Sequence, residues 1–350
     1  MRRTPVAVLL CAVTMTVGAL VGSAPAGAAA ATPPLERPGP ALSVPTATLN
    51  AALSCHGDFA RSTLEPVLLN PATGVTVEQN YSWNYVRAFE AQKRPYCTID
   101  MPKHTLGDIQ VAGEYLVHAI RTMRARSTRD IGIIGHSQGG MSMRWALRFW
   151  PDTRAMVDDI IGMAGSNHGT TALPSCVVGV TTCMPAVWQQ QRDSRFLAAL
   201  NSGAETFAGV SYTQIYTRTD EVVLPSDTNA TASSALHTGQ GDITNVATQD
   251  VCPLDVYEHL TVGTIDPTAY ALAMDALNNA GPAKVSRIGK ASCLQLFHTG
   301  VNPLNLQMYL QILAGAPGLA SVSLSYVNLV GVEQLPAEPA LRCYATAAGC

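Results

Sequence analysis

The sequence predicts an α/β fold in which helices cover both faces of a mostly parallel central sheet. Short, wholly apolar runs alternate along the chain with stretches whose apolar residues recur at three- and four-residue spacing. Buried parallel strands have continuous apolar runs, and covering helices have the wider spacing, so the alternation favours a parallel sheet. With 47% apolar residues, the 350-residue chain can fill the core of one large domain of this kind.

The predicted elements follow one another without an internal repeat. Strands are expected at 67–69, 96–100, 131–134, 159–164, 211–217 and 243–248, and helices at 81–92, 107–126, 139–149 and 267–277. The helix at 107–126 is predicted from one apolar face, formed by Ile109, Ala112, Leu116, Ala119, Ile120 and Met123. After Ala280 the sequence becomes rich in Gly, Pro and Asn. We expect residues 281–350 to be a disulfide-stapled extension of the same domain with a few short helices.

The first 28 residues are typical of a signal peptide. Arg2 and Arg3 precede an apolar run at 6–21, and Ala26-Gly27-Ala28 fits a small-x-small cleavage site. A retained membrane anchor is the alternative, but the run is short for a span and ends in Ala, Gly and Pro. We therefore expect a secreted protein cleaved near Ala28.

The composition of residues 29–50, rich in Ala, Pro and Thr, predicts a flexible lead-in. We expect residues 51–350 to form a single domain.

Charge and composition argue against some partner classes. The formal net charge is -3, which offers no electrostatic basis for binding nucleic acid or an anionic membrane. The sequence also carries no obvious interaction module, so we expect a monomer without stable membrane insertion.

Cysteine usage predicts disulfides rather than a metal site. Cleavage of the signal peptide would remove Cys11 and leave eight cysteines, at positions 55, 97, 176, 183, 252, 293, 343 and 350. An even number in an exported chain indicates disulfides, although eight cysteines allow about 105 pairings. The short-range candidates are Cys176–Cys183 and Cys343–Cys350. Since no C-x-x-C pair or nearby histidine offers ligand spacing, we expect no metal site.

Residues 135–139 read Gly-His-Ser-Gln-Gly and match the G-x-S-x-G motif. A predicted buried strand precedes the motif and a helix follows, which is the context of the nucleophile in the α/β-hydrolase fold. Such a tight turn would strain the backbone of Ser137 and requires Gly135 and Gly139 to leave room between strand and helix. The N–H of Gln138 would face a developing oxyanion. The alternative is an ordinary glycine-rich turn.

A serine nucleophile needs a base and a carboxylate that orients it, which in this fold follow in the order Ser, Asp or Glu, His. Asp220 comes directly after the predicted strand at 211–217, and His259 lies shortly before the helix at 267–277. Position favours these two but leaves other candidates open, namely Asp227, Asp242, Asp250, His237 and His298. His168 precedes Asp220 and breaks the order. The loop after the first predicted strand, at 71–74, offers Thr73 as a second oxyanion donor.

The chain resembles the Candida antarctica lipase B family from about residue 53 to about residue 277. The matching stretches are Ser-Gln-Gly-Gly at 137–140, Val-Trp-Gln-Gln at 187–190, Thr-Asp-Glu-Val-Val-x-Pro at 219–225, and Val251-Cys252-x-Leu254 followed by Glu258-His259. The resemblance implies Ser137 as nucleophile, Asp220 as orienting acid and His259 as base. It implies Thr73 and Gln138 as oxyanion donors. It also implies the disulfides Cys55–Cys97, Cys252–Cys293 and Cys343–Cys350.

The resemblance further implies a secreted lipase or esterase that hydrolyses carboxylic esters, acylglycerols first among them, at an oil–water interface and without a cofactor. The expected substrate-contacting positions are His136, Ser166, Val187, Gln190 and Val222. Two of them depart from the family: His136 replaces a tryptophan of the alcohol pocket, and Ser166 replaces an aspartate. Cys176 and Cys183 have no counterpart and fall at the lid or its rim, which a bridge between them would stiffen.

Three alternatives remain open from the sequence. A polyester depolymerase or cutinase-like hydrolase would use the same three residues in a more open cleft. An exported acyltransferase would favour an alcohol over water as acceptor. A non-catalytic binding protein of the same fold would usually lack one of the three, because fold alone does not determine function.

Overall fold

Seven strands form the central sheet of the computed structural model, which describes residues 32–172, 176–305 and 331–350. In chain order the strands are β1 (Leu53–His56), β2 (Val67–Asn70), β3 (Tyr96–Ile99), β4 (Ile131–His136), β5 (Val157–Met163), β6 (Ser211–Tyr216) and β7 (Asp242–Ala247). Their order across the sheet is β1-β3-β2-β4-β5-β6-β7. All neighbouring pairs are parallel except β1 and β3. The predicted mostly parallel sheet is thus confirmed.

The edge strand β1 was not among the predicted strands. It is four residues long, and its side chains alternate between half-buried and exposed, so it lacks the continuous apolar run of the inner strands. Cys55 of β1 lies opposite Cys97 of β3, and a disulfide joins the two. The strand β1 is therefore held in the sheet by a disulfide and by pairing with β3. Its own composition indicates neither of these contacts.

Ten α-helices accompany the sheet in the described residues. They are α1 (Thr46–Ala52), α2 (Val77–Tyr81), α3 (Tyr85–Gln92), α4 (Ile109–Arg126), α5 (Gln138–Phe149), α6 (Pro185–Gln189), α7 (Arg195–Leu200), α8 (Thr248–Val251), α9 (His259–Val262) and α10 (Pro267–Asn278). The predicted helix at 81–92 begins later, at Tyr85 of α3, because Asn84 has non-helical backbone angles and its side chain caps Tyr85. The short helix α2, which ends at Tyr81, was not among the predicted helices. Beyond 280 the described structure contains short 3₁₀ turns, for example Lys290–Leu294.

Two apolar layers cover the two faces of the sheet. Leu68 and Ile133 point into the layer built with α4 and α5, whereas Leu69 and Ile134 point into the layer built with α3 and α10. Adjacent residues of a strand face opposite sides, so continuous apolar runs are needed at β2 and β4. Both strands are fully buried, and they end at the same edge of the sheet.

The described part of the expected lead-in, residues 32–50, packs against the domain through side-chain hydrogen bonds. Arg148 of α5 donates to the Pro33 carbonyl at 2.7 Å, and the Trp150 indole donates to the Pro40 carbonyl at 2.9 Å. Glu114 of α4 accepts from the Ser43 hydroxyl at 2.6 Å. The physical reason is that polar groups of two buried helices find their hydrogen-bond partners on this segment. The predicted signal peptide, 1–28, lies outside the described residues.

Four disulfides join the eight cysteines in the described structure, in the pairs Cys55–Cys97, Cys176–Cys183, Cys252–Cys293 and Cys343–Cys350. Cys183 also exchanges two backbone hydrogen bonds with Leu335, at 3.0 and 2.8 Å. The segment closed by the second disulfide is therefore tied to residues near the C-terminus. None of the helices in the described ranges is long and apolar enough to cross a bilayer.

Candidate active site

Ser137 lies in the turn between β4 and α5 with φ 53° and ψ −123°, a conformation that non-glycine residues rarely adopt. Its N–H donates to the Met163 carbonyl at 2.8 Å, which holds the turn against β5. A β-carbon at Gly135 would overlap the Gly139 carbonyl, and one at Gly139 would overlap the Asn70 carbonyl. The predicted need for glycine on both sides of Ser137 follows from these close approaches.

Asp220, His259 and Ser137 form one hydrogen-bonded line at the carboxyl edge of the sheet. His259 Nδ1 lies 2.9 Å from Asp220 Oδ2, and His259 Nε2 lies 3.0 Å from Ser137 Oγ. Asp220 also accepts from the backbone N–H groups of Val222 and Val223, at 2.8 and 2.7 Å. All three members of the line are buried. The carboxylate is thus held by its own loop and faces the imidazole.

The loops that carry Asp220 and His259 are joined through one carbonyl group. The hydroxyls of Thr217 and Thr219 both donate to the Tyr257 carbonyl, at 2.7 and 2.8 Å. Glu258 then caps the short helix α9, in which His259 is the first residue. The Tyr257 carbonyl thus ties the residues before Asp220 to the residues before His259.

Opposing effects act on the charge of His259. Burial disfavours the imidazolium and by itself lowers the pKa of His259. The charge and hydrogen bond of Asp220, with smaller contributions from Glu221 and Glu258, outweigh burial and raise this pKa above its usual value. The surroundings of His259 therefore favour the protonated form of its imidazole.

Thr73 and Gln138 lie side by side near Ser137. Gln138 is the first residue of α5, where helix geometry leaves backbone N–H groups without intrahelical partners. The Thr73 hydroxyl donates to Gln138 Oε1 at 3.0 Å. The Thr105 hydroxyl donates to the Ala72 carbonyl at 2.7 Å, and Gly74 N–H donates to the His104 carbonyl at 2.9 Å. The loop around Thr73 is therefore fixed by the turn at 104–105.

The expected substrate-contacting residues are only partly brought together. Gln190 donates to Thr73 Oγ1 at 3.2 Å and to Gln138 Oε1 at 3.0 Å, and it accepts from the Ser166 hydroxyl at 2.9 Å. Ser166 is fully buried. Val187 is also buried, in a small cluster with Leu106, Met184 and Trp188, whereas Val222 is half-buried beside Asp220.

His136, expected to line the substrate pocket, is fully buried behind the site. Its Nε2 lies 2.9 Å from the His259 carbonyl oxygen, and its Nδ1 lies 3.3 Å from Asn80 Nδ2. The imidazole is smaller than the indole of the tryptophan that the family carries at this position, and it has two polar nitrogens. Both nitrogens hydrogen-bond here to buried groups.

The competing candidates take part in other contacts. His298 is buried and bonds the Thr264 carbonyl at 3.0 Å, and His237 stacks on His168 with ring centroids 5.8 Å apart. His168 pairs with Glu205 at 2.6 Å. Asp250 pairs with Arg218 at 2.5 Å, while Asp227 and Asp242 are exposed.

Two residues of the site had no motif to indicate them. Asn80 accepts from Ala72 N–H at 2.9 Å, and Thr105 hydrogen-bonds both Ala72 and Gly74. The only sequence signal for Asn80 is its place in α2, which starts with the capping box Thr76-x-x-Gln79. Their roles depend on contacts between distant parts of the chain.

Comparison with known proteins gives consistent matches. The family model described as Lipase (class 2) matches residues 114–262. Lipase B of Pseudozyma antarctica is 33% identical over 283 residues, covering 78% of this chain and 81% of that protein. The crystal structure of Aspergillus fumigatus lipase B superposes with a TM-score of 0.74 at 30% identity, covering 88% of this chain and 74% of that one.

Proposed function

This chain belongs to the lipase B family and is a carboxylic ester hydrolase, and from that premise we propose that it hydrolyses lipid esters, acylglycerols in particular, through an acyl-enzyme on Ser137. The observation that carries the proposal is the hydrogen-bonded line from Asp220 through His259 to Ser137, with distances of 2.9 and 3.0 Å. Nucleophile–base and base–carboxylate contacts of this length are what serine hydrolysis requires.

In the proposed reaction, His259 accepts the Ser137 proton as Oγ attacks the ester carbonyl carbon. His259 Nδ1–H donates to Asp220 throughout, which leaves Nε2 free to take the proton. The imidazolium then gives the proton to the departing alcohol, and the acyl group stays on Ser137. Water, deprotonated by the same His259, releases the acid and restores the serine.

The negative charge that develops on the carbonyl oxygen is stabilised by the backbone N–H groups of Thr73 and Gln138. The Thr73 hydroxyl, which bonds Gln138 Oε1 in the free protein, turns to become a third donor. Gln190 acts indirectly, because its amide holds both Thr73 and Gln138. Val222, half-buried beside Asp220, is the proposed acyl contact, whereas the buried Val187 and Ser166 support the wall behind it.

Replacement of the nucleophile tests the mechanism. We expect Ser137→Ala to lose about 10⁶-fold in kcat on p-nitrophenyl esters, the loss known for a protease triad, with the fold intact by circular dichroism. The matched control is Ser286→Ala, at an exposed serine outside the site, which should retain full activity. Equal activity of Ser137→Ala and the parent protein would reject the nucleophile.

The substrate class needs a separate comparison. We expect activity on p-nitrophenyl esters to rise from acetate toward medium and long acyl chains, and emulsified triacylglycerol to be turned over. A strong preference for polyester film would instead favour a depolymerase. Formation of a new ester in the presence of added alcohol, with little free acid, would favour an acyltransferase.

We also propose that the protein is exported and cleaved near Ala28. The four disulfides of the domain support an oxidising destination. The expected result is a secreted product whose mass and N-terminal sequence correspond to removal of residues 1–28, and a product that retains Met1 would contradict it.

A further inference from the structure

His136 precedes the proposed nucleophile and connects three parts of the site. It is the last residue of β4, and its ring packs over that of His259 with centroids 5.4 Å apart and planes 35° apart. A β-carbon at Gly263 would overlap the His136 ring, so this ring fills the space between β4 and the end of α9. The imidazole is therefore fully buried and closely packed.

The hydrogen bonds define how the two ring nitrogens are protonated. Asn80 Oδ1 accepts from Ala72 N–H at 2.9 Å, which orients the side-chain amide so that its Nδ2 group faces His136. An amide NH₂ group only donates, so Nδ1 of His136 must be the acceptor. Nε2 therefore carries the proton and donates to the His259 carbonyl, 2.9 Å away.

The environment keeps this ring neutral. Burial and the neighbouring His259 lower the pKa of His136 to about 3, although its contact with the His259 carbonyl and the charge of Asp220 act in the opposite direction. The histidine thus keeps one donor and one acceptor over the whole range in which an esterase works. A charged ring would present two donors, and Nδ1 would then face the Asn80 NH₂ group.

We propose that His136 is a positioning residue that fixes the main chain of His259 relative to the loop of Thr73. The connection runs from Ala72 N–H to Asn80, from Asn80 to His136, and from His136 to the His259 carbonyl. Through this connection the base and the oxyanion loop share one buried support, and His259 Nε2 stays within hydrogen-bond distance of Ser137. The inference rests on the proposed function, because it assigns His136 a task in that reaction.

Two substitutions separate positioning from packing. His136→Phe keeps a ring in the space but removes both nitrogens, and His136→Gln keeps a donor at the place of Nε2. We expect His136→Phe to lower kcat by about 10- to 100-fold with little change in KM, part of the 10²- to 10⁴-fold that a general base supplies. The rate of inactivation by diethyl p-nitrophenyl phosphate should fall by a similar factor. His136→Gln should regain most of both rates.

Proton NMR adds a readout that packing alone would not change. The far-downfield resonance of the proton between His259 and Asp220 should be present in the parent protein and His136→Gln, and weakened in His136→Phe. Unchanged kcat in His136→Phe would overturn the inference, as would equal losses in both variants. A requirement for Ser137 in the parent protein, measured with Ser137→Ala, tests the proposed function separately.

A measurement on the parent protein does not depend on how the variants fold. The ¹⁵N shifts of His136 should show a protonated Nε2 and an unprotonated Nδ1, unchanged from acidic to alkaline working pH. A ring protonated on Nδ1, or one that titrates near the usual pKa of histidine, would overturn the inference even if Ser137→Ala is inactive.

Discussion

At the scale of single residues, the charge balance around His259 would set the pH range in which the proposed reaction can run. In the proposed reaction the imidazole must be neutral to accept the Ser137 proton, and Asp220 raises its pKa above the usual value. Activity should therefore be lost as the pH falls through a value above that of a free histidine. Because the Asp220 carboxylate stabilises the imidazolium, it should shift the pH below which activity is lost to a higher value.

Asp220→Asn tests this balance. Without the carboxylate, burial remains as the main effect on His259 and lowers its pKa, so the acid limb of the kcat/KM profile should move to lower pH. The kcat itself should fall by about 10⁴-fold, as for the corresponding change in a protease triad. Asp227→Asn, at an exposed position just beyond this loop, is the control and should leave the profile unchanged. An acid limb that stays in place in Asp220→Asn would contradict the assignment of the raised pKa.

Candidate residues of the site could be singled out from the sequence where a local pattern carries the chemistry. Ser137 lies in a pentapeptide that is typical of a strand-to-helix turn, and position in the chain together with the resemblance to relatives singled out Asp220 and His259. The burial of His136 was not predictable, because it depends on Asn80, Gly263 and the backbone of His259, none of which is its neighbour in sequence. Hydrogen-bond partners far apart in the chain leave no periodic signal.

At the scale of elements, the turn between β4 and α5 shows packing overriding local preference. Gly139 is the second residue of α5, where alanine is the better helix former. A β-carbon there would nevertheless overlap the backbone of Asn70, and it would lie 2.6 Å from the Pro71 carbonyl oxygen. Because both partners are backbone atoms at the end of β2, neither can move aside without disturbing the loop of Thr73.

Gly139→Ala should therefore destabilise the protein despite its higher helix propensity. We expect a loss of about 1–3 kcal/mol in the free energy of unfolding, together with a large loss of kcat. Gly289→Ala is the matched control, since a β-carbon there meets no atom within 4 Å and should change stability by less than about 0.5 kcal/mol. Chemical denaturation of both variants measures the difference. Equal stabilities would show that the strand–helix approach is looser than described.

Elements with a strong apolar periodicity were predicted close to their observed bounds. The conformation of segments held by contacts from other parts of the chain was not predicted. The predicted helix at 107–126 is observed as Ile109–Arg126, because its apolar stripe is encoded locally. The segment at 32–50 looked flexible from its Ala, Pro and Thr content, yet Arg148 and Glu114 hold it in place. Composition predicts only the local preference of a segment for order or disorder. These contacts come from helices about 70 to 115 residues away in sequence, so composition does not indicate them.

At the scale of the whole molecule, two buried carboxyl groups lie at the amino ends of the parallel strands, opposite the candidate active site. They give the stability of the protein its own dependence on pH. Glu65 precedes β2 and Asp159 lies near the start of β5, both buried, and one oxygen of each has no hydrogen-bond partner within the described structure. Burial raises the pKa of both carboxyl groups, and repulsion from Asp158 adds to it, while Arg94 acts in the opposite direction. Their charged forms are therefore less stable in the folded protein than in the unfolded chain.

The sign of the pH effect follows from linkage. A carboxyl group with a raised pKa binds more protons in the folded protein than in the unfolded chain, so the free energy of unfolding falls as the pH rises. This fall should begin near the ordinary pKa of Asp and Glu, about 4, and continue until the folded pair has titrated. In the proposed reaction, activity should change in the opposite direction through His259 and rise with pH. We therefore expect stability to limit the protein at high pH and activity to limit it at low pH, with the working range between these two limits.

Asp159→Asn should separate these limits. The substitution keeps the shape, removes one buried charge and offers an NH₂ group that can donate to Glu65, so it should raise the free energy of unfolding by about 1 kcal/mol or more at pH 8. The gain should shrink toward pH 4, where the parent pair is protonated, and the kcat/KM profile should not move, since His259 lies at the other edge. Thermal and chemical unfolding across this pH range measure the effect, with Asp193→Asn, at an exposed aspartate, as the control. A variant that is less stable at every pH would show that Asp159 is stabilised by its surroundings in the charged form.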